Sequence, residues 1–483
     1  MNTTQIEAAL SGLFEKWAGD RPELMLPLAP SASPRIYYRL SRGDKTAVGA
    51  YNADKKENIA FLHFSKHFKE KGLPVPEIFA EDLERSVYLQ EDFGTTTLYS
   101  YLLQAGSGPF PDYLVRIYKK VVEKLAVLQV QGGDGLDYGV CYPRAAFDKQ
   151  SMLWDFNTFK YYFLKLAKIP FHEEALEDDM HRFAEYLLTT DCSHFMFRDF
   201  QTRNIMIKNG EPFFIDYQGG RKGALQYDLA SLLYQAKANI PNDIRKDLVN
   251  HYLDALEKLV PVDRERFFEY FYGYVLMRSI QTFGTYGFRG LFEHKEYFIK
   301  SIPFAIRNVK WILGNTAFPV EMPELKKVLR SIVESKRFEP FDKIKAASSL
   351  LHVTVNSFSY KNGVPEDASG HGGGFVFDCR SIHNPGRYGP YKRLTGRDEP
   401  VINFLKQHSH IAEFLNHIFL IVDPAVENYI ERSFTNLTVN FGCTGGQHRS
   451  VYAADQFAVH VREKYGVEVK LTHIEQEKKD WKN

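Results

Sequence analysis

Cysteine is scarce in this chain of 483 residues, and its four cysteines form no CxxC pair. Cys141, Cys192, Cys379 and Cys443 match no zinc-site or disulfide spacing, which excludes a disulfide framework and favours a reducing cytoplasm. No run of about 18 apolar residues occurs, so no membrane-spanning helix is predicted. The first residues also lack the basic start and continuous apolar core of a signal peptide.

An excess of charge of either sign is absent as well. Lysine and arginine number 61, aspartate and glutamate number 60, and the formal net charge is +1. This balance excludes a whole-chain field that would attract nucleic acid or an anionic membrane, so any basic site must be local. The length exceeds that of a single hydrophobic core, and two or three domains are therefore expected.

Hydrophobic spacing divides the chain into five segments. Apolar residues at helical spacing come first, strand-like stretches with one helix follow, and a long, mainly helical region comes next. A proline-containing stretch then precedes strands and helices in alternation, which is typical of an α/β domain. The predicted segments are an N-terminal helix in 1–26, a small sheet with one helix in 27–95, a helical region in 96–314, a linker with some helix in 315–345 and an α/β domain in 346–483.

One stretch before residue 340 carries the pattern of a phosphoryl-transfer site. In FMFRDFQTRNIMIKNGEPFFIDYQGG, Asn204 follows Asp199 by five residues and Asp216 ends the second of two predicted strands. Phosphoryl transfer needs a carboxylate that positions and deprotonates the acceptor hydroxyl, and oxygen ligands that hold Mg²⁺ on the nucleotide. The Asn209-Gly210 pair between the strands is a strong hairpin signal, which brings Asn204 and Asp216 towards one edge.

This stretch resembles the catalytic and metal-binding segments of the aminoglycoside phosphotransferase and choline kinase superfamily. QYDLASLLY is similar to the superfamily's next helix, while RDFQTRNIM, IDYQ and GLPVPEIFAED followed by YLQEDFG resemble the anomeric N-acetylmuramate and N-acetylglucosamine kinases. The resemblance implies an α+β two-lobed protein-kinase-like domain that uses ATP and Mg²⁺ to phosphorylate an amino sugar. It also implies Asp199 as the catalytic base and Asn204 and Asp216 as Mg²⁺ ligands.

The predicted nucleotide contacts depart from the superfamily pattern. The resemblance assigns the backbone from Glu91 to Phe93 to the adenine hinge. Ser31 and Ser33 lie in a small-residue loop that fits a phosphate cover and an ordinary turn equally well. The histidine expected two positions before the catalytic aspartate is Phe197, and no lysine lies plainly in the second strand. We expect another cation to replace that lysine, and the candidates are Arg35, Arg39 and Lys45.

A second stretch, VNFGCTGGQHRS, follows a predicted strand and opens a predicted helix. That geometry collects free backbone N–H groups, the helix dipole and an arginine around one anion. The spacing of one cysteine, five residues and one arginine also fits protein tyrosine phosphatases, in which a thiolate attacks phosphate, although a small buried cysteine fits the position equally well. The predicted phosphate-binding residues are Cys443, Thr444, Gly445, Gly446, His448, Arg449 and Ser450.

The C-terminal segment carries a second resemblance. LHVTVNSFSYKNGVP, FVFDCRSIHNPGRYGPYKRLTGRDEPVINFL and VNFGCTGGQHRSVYAA resemble, almost end to end, the C-terminal domain of the RNase adapter RapZ. The resemblance implies a domain that binds amino-sugar phosphate and small RNA and mediates oligomerisation. From residue 346 onward, 15 lysines and arginines balance 15 aspartates and glutamates, which favours a phosphosugar over RNA. A local basic cluster remains at Arg387, Lys392, Arg393 and Arg397.

Together these patterns predict an ATP- and Mg²⁺-dependent kinase for a small sugar, fused to a phosphosugar-sensing domain. No membrane partner is expected, and the C-terminal domain is a candidate surface for homo-oligomers. Two alternatives stay open. In one, the kinase-like domain is non-catalytic and the protein is a nucleotide-dependent RNA adapter. In the other, the C-terminal domain is a cysteine phosphatase.

Overall fold

The structure is a computed structural model that describes residues 1–28, 35–105, 110–338, 351–367, 370, 374–432 and 434–478. The chain separates into two units, Met1–Phe341 and Asp342–Asn483. None of the helices within the described ranges is long and apolar enough to cross a membrane.

The first unit begins with helix α1 (Thr3–Ala18), which covers one face of an antiparallel sheet. Gly49 lies at their contact, where a Cβ atom would stand 2.8 Å from Leu40 Cδ1 and 2.9 Å from Leu10 Cδ2. Glycine is therefore needed where the helix approaches the sheet closely. The described residues form five strands in the order β1-β2-β3-β5-β4, namely β1 Leu24–Pro27, β2 Ile36–Arg42, β3 Lys45–Tyr51, β4 Ile78–Asp82 and β5 Val87–Gln90.

Helix α2 (Lys55–Glu70) packs on the opposite face of this sheet. The Asp54 side chain caps the helix by accepting the backbone N–H of Lys56 at 2.9 Å and that of Glu57 at 3.3 Å. The buried aromatic rings of the helix lie towards the second lobe, and the Ser65 hydroxyl meets the Tyr217 hydroxyl at 2.6 Å. Helix α2 therefore joins the sheet to the segment that carries the predicted site.

The second lobe is mainly helical and contains two short antiparallel strand pairs. Strands β6 (His194–Met196) and β9 (Arg221–Gly223) pair with each other, as do β7 (Ile205–Lys208) and β8 (Glu211–Phe214). These pairs frame the predicted catalytic stretch. The helices are α3 Leu98–Ala105, α4 Asp112–Val127, α5 Lys149–Thr158, α6 Lys165–Ala167, α7 Glu173–Leu187, α8 Leu225–Leu233, α9 Asn242–Leu256, α10 Arg264–Tyr286, α11 Glu296–Ile299 and α12 Ile302–Asn315.

Helix α13 (Pro323–Glu334) lies in the segment interpreted above as a linker, but it packs into the core of the first unit. Its apolar face, which includes Leu329, is fully buried. Asp179 of α7 accepts the backbone N–H of Leu325 at 2.8 Å, and Glu324 accepts that of His172 at 2.8 Å. Residues 323–334 therefore belong to the first unit, because this face would otherwise be exposed to water.

The second unit is built on a parallel sheet whose described strands have the order β11-β12-β10-β13. The strands are β10 His352–Ser359, β11 Phe375–Asp378, β12 Asn436–Cys443 and β13 Glu468–His473. The helices are α14 Glu399–His408, α15 Ile411–Glu431, α16 Arg449–Tyr465 and α17 Ile474–Lys478. The predicted two-lobed α+β domain followed by a separate α/β domain is confirmed.

Candidate active site and anion-binding loop

A buried carboxylate holds the backbone of the predicted catalytic loop. Asp228 on α8 is fully buried and accepts the N–H of Phe197 at 2.7 Å and that of Arg198 at 3.0 Å. The Gln129 amide donates to the same carboxylate at 3.0 Å. Arg198 has a φ of +80°, a conformation that such bonds must maintain. Burial raises the pKa of Asp228 to about 7.

An aromatic cluster occupies the position where the sequence lacks the expected histidine. Phe197 is fully buried, and its ring lies 5.2 Å from the Phe200 ring and 5.9 Å from the Tyr217 ring. Edge-to-face packing of this kind stabilises the loop without a hydrogen bond from the side chain. The loop is therefore anchored by apolar packing at Phe197 and by Asp228 at its backbone.

One side-chain and one backbone hydrogen bond link the segments that carry Asp199, Asn204 and Asp216. The Asn204 amide nitrogen donates to the backbone oxygen of Asp199 at 2.9 Å, and the Ile215 N–H donates to the backbone oxygen of Asn204 at 3.0 Å. Asp216 follows Ile215 directly and has a φ of +71°. Its carboxylate accepts the Gln218 amide at 2.9 Å. These bonds hold the three predicted residues on adjacent segments of backbone.

The oxygen atoms of this cluster fit a Mg²⁺ ion shared with a nucleotide. Because the Asn204 nitrogen is engaged with Asp199, its amide oxygen is the atom left to serve as a ligand. Asp216 adds a carboxylate that is partly exposed. Protein Mg²⁺ sites in phosphoryl-transfer enzymes typically use one or two such groups and complete the shell with phosphate oxygens and water.

Arg35 is the candidate cation that the structure places beside the cluster. Its side chain is 1% exposed, lies 3.0 Å from the Glu57 carboxylate and approaches Asp216 to 3.9 Å. Arg39 instead pairs with Asp92 at 2.5 Å, and Lys45 donates to a backbone oxygen of α1. Of the three candidates, Arg35 therefore lies next to the predicted metal ligands.

The predicted hinge follows strand β5. The Glu91 N–H already donates to the backbone oxygen of Glu77 at 2.8 Å, and the Glu91 carboxylate pairs with Lys69 at 3.1 Å. Phe93 is buried and stacks on Phe213 with ring centres 4.3 Å apart. These residues fix the end of the strand. Ser31 and Ser33, the other predicted nucleotide contacts, lie outside the described residues.

The two arginines that flank the predicted catalytic base have partners in the helical lobe. One Arg198 nitrogen donates to both carboxylate oxygens of Asp155, at 2.8 and 2.7 Å, and the other terminal nitrogen donates to the Tyr227 hydroxyl. Arg203 donates to the Tyr297 hydroxyl and lies between the rings of Tyr99 and Tyr297. Both guanidinium groups are therefore engaged within the helical lobe.

In the second unit, the predicted loop joins β12 to α16. The Cys443 thiol lies 3.1 Å from the Ser450 hydroxyl, and both side chains are buried. Burial opposes ionisation of the thiol, but hydrogen bonds from Ser450 and the charge of Arg449 lower the pKa of Cys443 below its ordinary value. Thr444 and Gly445 form the exposed part of the loop.

The remaining predicted loop residues have structural partners. One Arg449 nitrogen donates to the backbone oxygens of Arg380 and Ile382, each at 2.9 Å, which ties the loop to the chain after β11. His448 contacts the Tyr391 backbone oxygen at 2.8 Å, and burial lowers the pKa of His448. Gly446 has a φ of +63°, which suits glycine, and leaves no room for a Cβ atom.

Two family models match this chain. Residues 26–266 match the phosphotransferase enzyme family, and residues 351–477 match the RapZ C-terminal domain. The two matches fall in the first and the second unit, respectively. The predicted combination of domain types is confirmed.

Several curated relatives are called nucleotide-binding proteins. The protein from Endomicrobium trichonymphae is 35% identical over 150 residues, which cover 31% of this chain and 47% of that protein. The protein from Xylella fastidiosa strain M23 is 40% identical over 130 residues, with coverages of 27% and 43%. The protein from Acidobacterium capsulatum is 37% identical over 145 residues, with coverages of 30% and 44%. This chain spans less than half of the length of these relatives.

Two solved kinase structures are similar to this chain at low identity. Choline kinase from Cryptosporidium parvum is 12% identical, with a TM-score of 0.46, and the match covers 68% of this chain and 100% of that one. Amicoumacin kinase in complex with AMP-PNP, Ca²⁺ and Ami is 12% identical, with a TM-score of 0.44 and coverages of 63% and 92%.

Proposed function

Because the chain joins a domain of the phosphotransferase enzyme family to a RapZ C-terminal domain, we propose that it is an ATP- and Mg²⁺-dependent kinase for a hydroxyl of an amino sugar. The observation that carries the proposal is the position of Asp199, Asn204 and Asp216 on adjacent segments of backbone, with Arg35 beside them. N-acetylmuramate and N-acetylglucosamine are the proposed acceptors. The proposed place of action is the cytoplasm, where ATP is available.

The proposed reaction moves the γ-phosphoryl group of ATP to the acceptor oxygen. Asp199 takes the hydroxyl proton, the acceptor oxygen forms a bond to the γ-phosphorus, and the bond to the β,γ-bridging oxygen breaks to release ADP. Asp228 and Asn204 keep the base oriented through the loop backbone. Arg35, anchored by Glu57, faces the donor phosphates. A Mg²⁺ ion bound by Asn204 and Asp216 would neutralise phosphate charge.

A screen of N-acetylated sugars with radiolabelled ATP tests this proposal. We expect phosphorylation by the wild type and a loss of at least roughly 100-fold in Asp199→Asn, because positioned proton transfer contributes about that much or more. Asp216→Asn should also lose phosphoryl transfer, and added Mg²⁺ should not restore it. Asp178→Asn removes an exposed carboxylate on α7 and should behave as the wild type. A wild type that binds ATP but phosphorylates no sugar would contradict the proposal.

For the second unit, we propose that the loop from Cys443 to Ser450 binds an amino-sugar phosphate. The exposed backbone at Thr444 and Gly445, the start of α16 and the guanidinium of Arg449 support this assignment. Calorimetry on the full chain should show binding of glucosamine 6-phosphate and none of glucosamine. Salt-dependent retention of RNA without any sugar phosphorylation would instead favour the RNA adapter. Light scattering on the full chain would show whether it forms a homo-oligomer.

A cysteine phosphatase is the second candidate for this unit, and the Cys443–Ser450 contact favours it. The thiolate would attack phosphorus, the ester oxygen would leave with a proton, and water would hydrolyse the cysteinyl phosphate. Hydrolysis of an aryl phosphate should then disappear in Cys443→Ser and persist in Cys192→Ser, which changes a thiol of the first unit. Absence of hydrolysis by the wild type removes this candidate.

A further inference from the structure

One arginine of the helical lobe is directed at the predicted catalytic base. Arg278 lies in the middle of α10, and its side chain is 12% exposed. Its Nε donates to the Ser231 hydroxyl at 2.9 Å, and one terminal nitrogen donates to the Gln281 amide oxygen. The other terminal nitrogen stands 3.6 Å from the Asp199 carboxylate. The guanidinium is therefore held on two edges and presents the third to the base.

The charge of Arg278 is balanced by the base itself. Ser231 and Gln281 contribute neutral oxygens, and within the described ranges Asp199 is the only carboxylate at ion-pair distance from the guanidinium. When Asp199 takes the acceptor proton, this negative charge is lost. A cation that remains poorly hydrated then needs another anion nearby.

Phosphoryl transfer supplies that anion at the same moment. The acceptor hydroxyl must lie within hydrogen-bond distance of Asp199 for its proton to move, so the phosphoryl group that bonds to it arrives within a few ångströms of Arg278. Negative charge spread over the phosphoryl oxygens can then replace the charge lost from Asp199. A preorganised guanidinium is well suited to this exchange, since it needs no rearrangement during the reaction.

The other cations near the loop are engaged elsewhere. Arg35 lies beside Asp216 and Glu57, on the side of the predicted metal ligands. Arg198 is paired with Asp155. Arg278 instead approaches the base from the helical lobe, as its place on α10 requires. Arg278 therefore lies beside the predicted base and not beside the predicted metal ligands.

We propose that Arg278 is a catalytic residue that binds the phosphoryl group as it is transferred to the acceptor oxygen at Asp199. This inference rests on the proposed kinase function and adds a residue to it. Removal of the guanidinium should lower kcat by roughly 100- to 1,000-fold, the range seen for loss of one preorganised donor to developing negative charge. The KM for ATP should stay unchanged, because Arg278 binds the group only as it is transferred.

The test compares Arg278→Gln, Arg278→Lys and Ser231→Ala in the full chain, with N-acetylmuramate and N-acetylglucosamine as acceptors. Arg278→Lys should recover part of the lost kcat, because the charge is kept but the fork geometry is not. Ser231→Ala should reduce kcat by a smaller factor, since it removes one of the two groups that hold the guanidinium. Arg266→Gln, on the exposed start of the same helix, is the matched control and should keep wild-type kinetics.

Two results would overturn the inference. In the first, Arg278→Gln keeps both the wild-type kcat and the wild-type acceptor KM. In the second, it keeps the wild-type kcat but has a raised acceptor KM, which would make Arg278 an ordinary acceptor contact. If Arg278→Gln fails to fold by thermal unfolding, Arg278→Lys and Ser231→Ala decide the question through the same kcat measurement. A wild type that phosphorylates neither acceptor would contradict the proposed function. If the wild type is active and the Arg278 and Ser231 variants are equally active, only the inference about Arg278 is contradicted.

Discussion

Replacement of Asp228 by asparagine should change how the stability of the first unit depends on pH. The carboxylate is fully buried and receives hydrogen bonds from the Phe197 and Arg198 backbone and from the Gln129 amide. Burial nevertheless raises the pKa of Asp228 from 3.8 to about 7, because desolvation outweighs these bonds. Asparagine has nearly the same shape and does not titrate.

The direction of the effect follows from the raised pKa. Between pH 3.8 and about 7, folded Asp228 keeps a proton that the unfolded chain has released. The stability from this group is therefore fully present below pH 3.8 and is lost as pH rises through 7. A shift of one pKa unit corresponds to about 1.4 kcal/mol, so the shift of Asp228 changes the free energy of unfolding by roughly 4 kcal/mol in all. The asparagine variant lacks this loss.

Urea unfolding across about pH 5 to 8 measures the effect. Tryptophan fluorescence is a suitable probe, since Trp17, Trp154 and Trp311 lie in the first unit. The free energy of unfolding of the wild type, minus that of Asp228→Asn, should fall by about 1.4 kcal/mol per pH unit up to pH 7 and then level off. Parallel pH profiles for the two proteins would refute the reasoning.

Three further substitutions, one of them with a matched control, test other parts of the fold and site. Arg35→Ala should raise the KM for ATP about tenfold through loss of a charge-assisted contact, whereas Lys45→Ala should leave it unchanged in the same assay. Asp155→Asn should cost about 3 kcal/mol in urea unfolding, because it leaves the Arg198 guanidinium without its carboxylate. Leu329→Ala should cost about 2–5 kcal/mol, and no loss would mean that α13 contributes nothing to the first unit.

Local signals explain why the sequence could predict that the residues of the candidate site lie near one another. Asp199, Asn204 and Asp216 lie within 18 residues, and the Asn209-Gly210 turn forces the two intervening strands together. The polar residues of the second loop are contiguous, between one strand and one helix. In both places the backbone is short enough for the pattern to define the geometry.

The segment 315–345, predicted as a linker with some helix, contains α13, and the sequence alone could not show where that helix packs. The prolines near Phe318 and Met322 and the amphipathic pattern of the helix look the same whether its apolar face is covered or not. Only the packing of that face, with Asp179 bound to the start of the helix, shows that it belongs to the first unit.

The sequence by itself determined the two kinds of domain and predicted the residues of the candidate catalytic turn. It did not determine which distant side chains complete that turn. Arg35 reaches Glu57 across 22 residues, Asp228 reaches the catalytic loop across about 30, and Arg278 lies 79 residues beyond Asp199. Spacing cannot predict such contacts, because they exist only once elements that are distant in the sequence pack against one another.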